Sequence, residues 1–210
     1  MKILFYFIFL MAASLAAAER PMNELPMYGG QHDPQVARSE AASQQAAQLG
    51  WKYYHKGDLD TAIKRFNQAW MFDRKNAEAY WGFGVIMGQR SREGNIQANL
   101  QESIRFLVMA RDLDPKNGRI IGDLAFSHAV QGSFLTSERK DGRKEFSEAE
   151  ALFKQAYALD PKYPPIPANW SVLKFYVGDY SAAKQWLDVA KGLGFKPDPA
   201  YVKDLSERLK

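Results

Sequence analysis

The stretch 43–76 constrains the fold most, because it carries two helical apolar patterns separated by a turn. The positions that form these patterns are Leu49, Gly50 and Tyr53 in the first half and Ala62, Phe66 and Ala69 in the second. Between them lies Gly57-Asp58, where Gly suits the left-handed end of one helix and Asp caps the start of the next. The small residues Gly50 and Ala62 allow two antiparallel helices to approach closely. The stretch therefore predicts a helix–turn–helix hairpin.

The same pattern recurs three more times along the chain. It divides the sequence into units at 43–76, 77–117, 118–163 and 164–197. The middle two units contain the same ending, Leu-Asp-Pro-Lys, at 113–116 and 159–162. Both are longer than the first unit, and we place their extra residues in a polar turn near 89–95 and in a charged, exposed insertion near 133–144. Abutting units of one pattern predict an array in which each hairpin packs on the next.

The spacing resembles that of the tetratricopeptide repeat (TPR), whose pattern is Trp-x-x-Leu-Gly-x-x-Tyr, then Ala-x-x-x-Phe, then Pro. The first unit departs from it at two positions, since Ala46 stands in place of the Trp and Arg74 in place of the Pro. The resemblance implies an all-α fold, a right-handed α-solenoid of about four helix–turn–helix TPR units. A last amphipathic helix over 199–209, begun by Asp198-Pro199, is expected to cap the open end of the array.

The first 18 residues, 1–18, have the parts of a secretory signal peptide. A positive start at Lys2 precedes an apolar run over 3–15, and the three alanines at 16–18 match a small-residue cleavage site. The alternative, an uncleaved membrane anchor, needs about 20 apolar residues, and this run is shorter. The chain has no Cys, which excludes lipid attachment at the cleavage site and leaves an exported protein without disulfides. We therefore expect secretion across the inner membrane, a periplasmic location and no stable membrane span after cleavage.

Residues 19–33 form a predicted flexible leader, because they include two Pro and two Gly and show no helical period. One interpretation is a linker. The other is that the apolar residues 25–28 dock on the chain's own groove or on a partner. The Asp-Pro pair at 33–34 has the features of a helix start. The TPR domain is therefore expected to occupy 34–210, with a first helix that continues to about His55.

Composition and motifs argue against several classes of function. A net charge of +4 over 210 residues gives a mildly basic surface and not a nucleic-acid footprint. The three histidines, His32, His55 and His128, lack the spacing of metal ligands, and the chain has no thiol. We find no nucleophile motif in the sequence. The sequence therefore predicts no enzyme, no metal, no cofactor and no nucleic-acid partner.

In the TPR family the first helices line a concave groove that binds an extended or helical segment of another protein, and the resemblance implies such a groove here. The positions that it places on the groove are Trp51, Tyr54, His55, Glu78, Trp81, Val85, Arg119, Asp123, Phe126, Asn169, Val172, Phe175 and Tyr176. The candidates for ligand binding among them are Trp51, Tyr54, His55, Trp81, Val85, Arg119, Phe126, Phe175 and Tyr176. Aromatic rings offer a large contact area with few torsions to fix. The alternative is that these rings belong to the core. Some family members hold a C-terminal carboxylate with Lys, Asn and Arg, but only Arg119 suits that role here, so we expect an apolar peptide or helix.

Together these features predict an exported protein–protein interaction module, an adaptor, assembly factor or chaperone of the cell envelope. Its partner would be another protein or peptide in the envelope, bound in the aromatic groove. The alternative is that the same groove binds a glycan or another cell-wall ligand, since aromatic ring faces suit sugar rings as well as peptides.

Overall fold

The computed structural model describes residues 20–92 and 94–210, so the predicted signal peptide lies outside the described residues. Within them the chain forms nine α-helices and no β-strand. The helices are α1 Glu40–Tyr54, α2 Leu59–Phe72, α3 Ala77–Arg90, α4 Ile96–Leu113, α5 Gly118–Ser137, α6 Arg143–Leu159, α7 Pro165–Tyr176, α8 Tyr180–Gly192 and α9 Pro199–Arg208. The first eight pair in order as four hairpins, and α9 packs on α8. The prediction of an all-α solenoid closed by a C-terminal helix is confirmed.

Short polar side chains begin most of these helices. In each case an oxygen of the capping residue accepts a backbone N–H from the first turn: Asp58, Asn76, Asn95, Asn117, Asp179 and Asp198. Gly57 and Gly178 precede two of these caps with φ of +77° and +82°, a left-handed conformation that glycine adopts without steric cost. The Gly-Asp pairs thus end one helix and start the next, which makes the hairpin turns short.

Phe66 of α2 determines how closely α1, α2 and α3 approach. Its ring is fully buried and lies against two glycines. A Cβ at Gly50 on α1 would come within 2.6 Å of the ring, and one at Gly82 on α3 within 2.4 Å. A side chain larger than hydrogen therefore does not fit at either glycine. This contact sets the spacing of the first two hairpins.

Three apolar clusters form the core: two join neighbouring hairpins, and one joins the last hairpin to α9. The first surrounds Phe66 and Phe83, and the second surrounds Leu124 and Phe153. The third joins α8 to α9 through Leu205 and its neighbours. Continuous burial between successive hairpins is the physical basis of a repeat array, in which each unit is stabilised by the units beside it.

The first helix begins later than the sequence predicts. Ser39 caps α1, because its Oγ accepts the N–H of Ala42 at 3.2 Å. The N–H of Ser39 donates to the carbonyl of Phe72 at the end of α2, at 3.1 Å. This bond holds the chain at residue 39 against the end of α2. Residues 33–39 are consequently not helical.

The leader packs on the helical array. It forms two 3-10 turns, Met22–Glu24 and Pro26–Gly30, and both pack against α2. Asn67 of α2 holds the leader there, because its side chain donates a hydrogen bond to the backbone carbonyl of Leu25. The two residues are 42 positions apart in the sequence. A pairing over so many residues leaves no local pattern in the sequence.

Most of the extra residues of the third unit lengthen helices instead of forming an exposed insertion. α5 continues to Ser137 and α6 begins at Arg143, so only 138–142 connect them. A Cβ on Gly142 would lie 2.3 Å from the carbonyl oxygen of Gly132. This close approach lets the two helices run side by side to their ends. Only a short charged turn remains exposed.

We expect Gly82→Ala to lower the free energy of unfolding by about 1–3 kcal/mol, because the added methyl group overlaps the Phe66 ring and forces the hairpins apart. Urea unfolding followed by circular dichroism measures the change. The matched control is Gly192→Ala, also in a helix, where nothing lies within 4 Å of an added Cβ. That change should raise stability by up to about 1 kcal/mol through helix propensity. Equal stability of the two variants would contradict the role of Phe66.

Candidate functional site

The first helices of the hairpins form the inner face of the array. α1 contacts α3, α3 contacts α5 and α5 contacts α7, whereas among the described residues successive second helices make at most marginal contacts with one another. This asymmetry bends the array toward the first helices, as in other superhelical repeat proteins. We call the resulting surface the concave groove.

An aromatic cluster occupies the N-terminal half of the concave groove. The centroid of the Trp51 ring lies 4.6 Å from that of Trp81 and 5.6 Å from that of Tyr54. The imidazole of His55 stacks on Trp51 at 6.3 Å, and Trp51 also contacts the buried Phe66 at 5.0 Å. The structure thus brings four of the predicted groove residues together, with the cluster seated on the core.

Each of the two indoles donates its N–H to a carboxylate on the following first helix. Trp51 Nε1 on α1 donates to Glu78 Oε2 on α3. Trp81 Nε1 on α3 donates to Asp123 Oδ2 on α5, at 2.7 Å. These bonds fix both rings in place and connect three successive hairpins along the groove. A charged acceptor makes such hydrogen bonds stronger than those between neutral groups.

Both carboxylates are held in surroundings that disfavour their charge. Burial raises the pKa of Glu78, and the hydrogen bond from Trp51 opposes this shift. Burial raises the pKa of Asp123 to about 6, also against the hydrogen bond from Trp81. Both residues are half-buried and not fully enclosed. A raised carboxyl pKa within a concave surface is a common mark of a functional site.

Two phenol side chains, Tyr54 and Tyr163, lie near Asp123. Burial raises the pKa of Tyr54 and of Tyr163, and the charge of Asp123 raises both further. Burial also raises the pKa of Tyr176, and the charge of Arg92 opposes that shift. The positive charge of Arg92 also opposes the rise in the pKa of Tyr54. The centre of the groove therefore contains a carboxylate among phenols, with a cation nearby.

Other predicted groove residues are half-buried or paired. Val85, Phe126 and Tyr176 pack against the second apolar cluster, so part of each side chain belongs to the core. Arg119 at the start of α5 is exposed and forms an ion pair with Asp160 at 3.1 Å. An exposed pair of this kind leaves Arg119 able to exchange its partner at little cost.

The structure does not bring Phe175 to this group. Its ring lies 5.4 Å from that of Tyr180 and 5.6 Å from that of Tyr201. These rings form part of the third apolar cluster, where α9 packs on the last hairpin. Phe175 is half-buried there, so it packs on the core of the C-terminal hairpin and lies apart from the aromatic cluster around Trp51.

The groove positions that the TPR resemblance implies include Glu78 and Asp123, which lie early in first helices that are otherwise largely apolar. They do not include Tyr163 and Arg92. Tyr163 precedes α7, and Arg92 follows α3 in the polar turn. The approach of these two side chains to the groove depends on tertiary packing, which the local pattern does not encode.

Two surface cavities lie elsewhere on the molecule. One of about 430 Å³ is lined by residues around Ser39 and Asp73, where the chain enters α1. The other, of about 300 Å³, lies between the leader at Leu25 and the outer side of α4 at Arg105. Neither of these two cavities is lined by the rings of the concave groove.

Comparison with known proteins identifies the repeat. Residues 50–90 match a family model described as a TPR repeat, a range that includes all of α2 and α3. A solved structure described as the functional characterization of pilF from Pseudomonas aeruginosa is 17% identical, with a TM-score of 0.40; the match covers 75% of this chain and 78% of that chain. No curated protein matches the sequence. The chain is TPR-like over residues 50–90.

We expect Asp123→Asn to stabilise the protein at neutral pH. The folded-state pKa of about 6 exceeds the ordinary value of 3.8, so between these values the folded protein binds more protons than the unfolded chain. The contribution of Asp123 to stability therefore falls as pH rises through this window, by up to about 3 kcal/mol. An amide still accepts the Trp81 N–H but carries no charge. Urea unfolding at pH 4.5 and pH 7.5 should show the variant's advantage growing with pH.

The matched control for this prediction is Asp112→Asn, on the exposed side of α4. Its stability relative to the original chain should not grow over the same pH range. A constant difference between Asp123→Asn and the original chain at both pH values would contradict the assigned cost of the buried carboxylate.

Proposed function

We propose that this TPR-like chain is a non-catalytic protein–protein interaction module of the cell envelope. It acts there as an adaptor, an assembly factor or a chaperone. Its ligand is a peptide or a helix of another protein, bound along the concave groove. The TPR match supports an interaction module, and the cluster around Trp51 and Trp81 supports the place of binding.

One observation carries this proposal: Asp123 lies half-buried in the aromatic groove, and its carboxylate accepts the N–H of Trp81 at 2.7 Å. Burial disfavours its charge and raises its pKa, and among the described residues its one hydrogen bond comes from Trp81. A carboxylate accepts several hydrogen bonds, so Asp123 retains free acceptor capacity. Residues that lower stability in this way are expected at functional sites, where a ligand supplies the missing interaction.

This geometry refines the chemistry of the expected ligand. The sequence alone predicts an apolar peptide or helix. The carboxylates of Glu78 and Asp123 add a requirement for hydrogen-bond donors, and a Lys or Arg side chain satisfies it best. We therefore infer that the bound segment presents a basic residue to Asp123 and apolar residues to the rings of Trp81 and Tyr54.

The glycan alternative is less well supported by the arrangement of the rings. A sugar stacks on an open aromatic face. The rings of Trp51 and Trp81 lie against each other, and Trp51 also contacts Phe66 and Tyr54. Both indole N–H groups are already engaged with carboxylates. This packing favours an extended peptide that lies across the edges of the rings.

The proposed location depends on the sequence at 1–18, which has the features of a signal for export. Among the described residues, no helix is both long enough and apolar enough to cross a bilayer. We propose that the chain is secreted across the inner membrane and acts in the periplasm. Fractionation of cells that express the full chain, with mass spectrometry of its N-terminus, tests this. A cytoplasmic protein that retains Met1 would contradict it.

We expect random 12-residue peptides selected for binding to the chain to contain Lys or Arg flanked by apolar residues. Asp123→Asn should weaken their binding by about 10- to 100-fold, since a hydrogen bond to a charged group contributes about 1.5–3 kcal/mol. Isothermal titration calorimetry measures the affinities, and Asp112→Asn should leave them unchanged. Peptides without basic residues, or equal binding by Asp123→Asn, would contradict the proposed ligand. Peptidoglycan fragments titrated in parallel should not bind; their binding would support the glycan alternative instead.

A further inference from the structure

The outer face of α2, opposite the concave groove, holds the chain's own leader. Both 3-10 turns of the leader, Met22–Glu24 and Pro26–Gly30, pack on this helix. The contacting side chains on α2 are Lys64, Asn67 and Met71, spaced three and four residues apart. This spacing places them on one side of the helix. We call this surface the α2 face.

Asn67 recognises the backbone of the leader. Its side chain is 1% exposed. Its Nδ2 donates to the carbonyls of Leu25 at 2.7 Å and Asn23 at 3.3 Å, and its Oδ1 accepts the N–H of Tyr28 at 3.3 Å. Both ends of the amide are therefore used on main-chain groups. Recognition of main-chain groups provides affinity without demanding a particular side chain at those positions.

Two leader side chains add specificity on either side of Asn67. The carboxylate of Glu24 pairs with Lys64 at 2.9 Å. The ring of Tyr28 lies 6.1 Å from that of Trp70, and its hydroxyl is 3.6 Å from the sulfur of Met71. The α2 face thus receives a carboxylate and, four residues later, an aromatic ring.

The leader is held on the α2 face in a strained conformation. Met27 and Tyr28 have φ of +52° and +54°, and the two glycines that follow are also left-handed. Residues other than glycine rarely adopt this left-handed conformation, because it brings their Cβ too close to the backbone carbonyl oxygen. Strain of this kind persists only where surrounding contacts outweigh it, and it lowers the net stability of the bound leader. A segment under strain is easier to displace by one that binds without it.

We propose that the α2 face is a second peptide-binding site, which the leader occupies reversibly until a partner displaces it. The partner is a short segment of another protein with the chemistry of residues 24–28, an acidic side chain followed four residues later by an aromatic one. The site is independent of the concave groove, because its contacts lie on a second helix and involve no groove residue. The leader holds the advantage of a high local concentration, which a partner must exceed.

A labelled synthetic peptide of residues 22–31 tests the site on the chain from Glu19 onward. Fluorescence polarisation should show at least tenfold tighter binding to the Tyr28→Ala chain than to the original chain, because the weakened leader no longer competes. Met22→Ala is the matched control: Met22 is exposed, so this change leaves the leader in place and should keep binding at the original level. Absence of binding to the Tyr28→Ala chain would overturn the proposal.

A charge exchange identifies the surface that the peptide occupies. In the Tyr28→Ala chain, the further change Lys64→Glu should weaken binding of the peptide severalfold. A peptide that carries Glu24→Lys should restore the lost affinity. Asn67→Ala should remove binding, and circular dichroism checks that this variant is folded. If it is not folded, the charge exchange alone decides. If the affinity for the peptide is the same with either charge at position 64, the peptide binds elsewhere and the proposal is overturned.

Discussion

The contact of Phe66 with Gly50 and Gly82 is the interaction on which the rest of the structure depends. It allows α1 and α3 to approach the same ring from two sides, closer than any Cβ permits. The approach brings the first helices together on one side of the array. The ring of Trp51 then reaches that of Trp81, at 4.6 Å. The concave groove is therefore a consequence of packing at two glycines, because bulkier residues there would separate the hairpins.

The groove adds a polar arrangement to this apolar framework at a cost in stability. Indole N–H groups orient Glu78 and Asp123, and burial raises the pKa of both. A purely structural solenoid would be more stable with neutral residues at these positions. Their presence fits a surface that is completed by a donor from a partner. On the α2 face, the buried side chain of Asn67 likewise makes its hydrogen bonds to the backbone of a peptide segment, the leader.

Local periodicity was sufficient to predict the hairpins, because small residues such as Gly50 and Ala62 recur at fixed helical spacing. The placement of Trp51 and Trp81 at groove positions came from the resemblance to the TPR pattern. Local periodicity could not predict the docked leader, since the bonds of Asn67 join residues about 40 positions apart. The closing helix likewise covers Phe175 through contacts that depend on how α9 packs. Pairings of this kind depend on the angle and distance between hairpins, and no motif within one hairpin encodes them.

The most direct test of binding in the concave groove uses ¹⁹F NMR of the chain labelled with 5-fluorotryptophan. The five tryptophans are divided between surfaces: Trp51 and Trp81 lie in the groove, Trp70 beside the leader, and Trp170 and Trp186 stacked on each other at 3.9 Å toward the C-terminus. Titration with a selected basic peptide should shift the resonances of Trp51 and Trp81 and leave those of Trp170 and Trp186 in place. Shifts confined to the other three tryptophans would contradict the account.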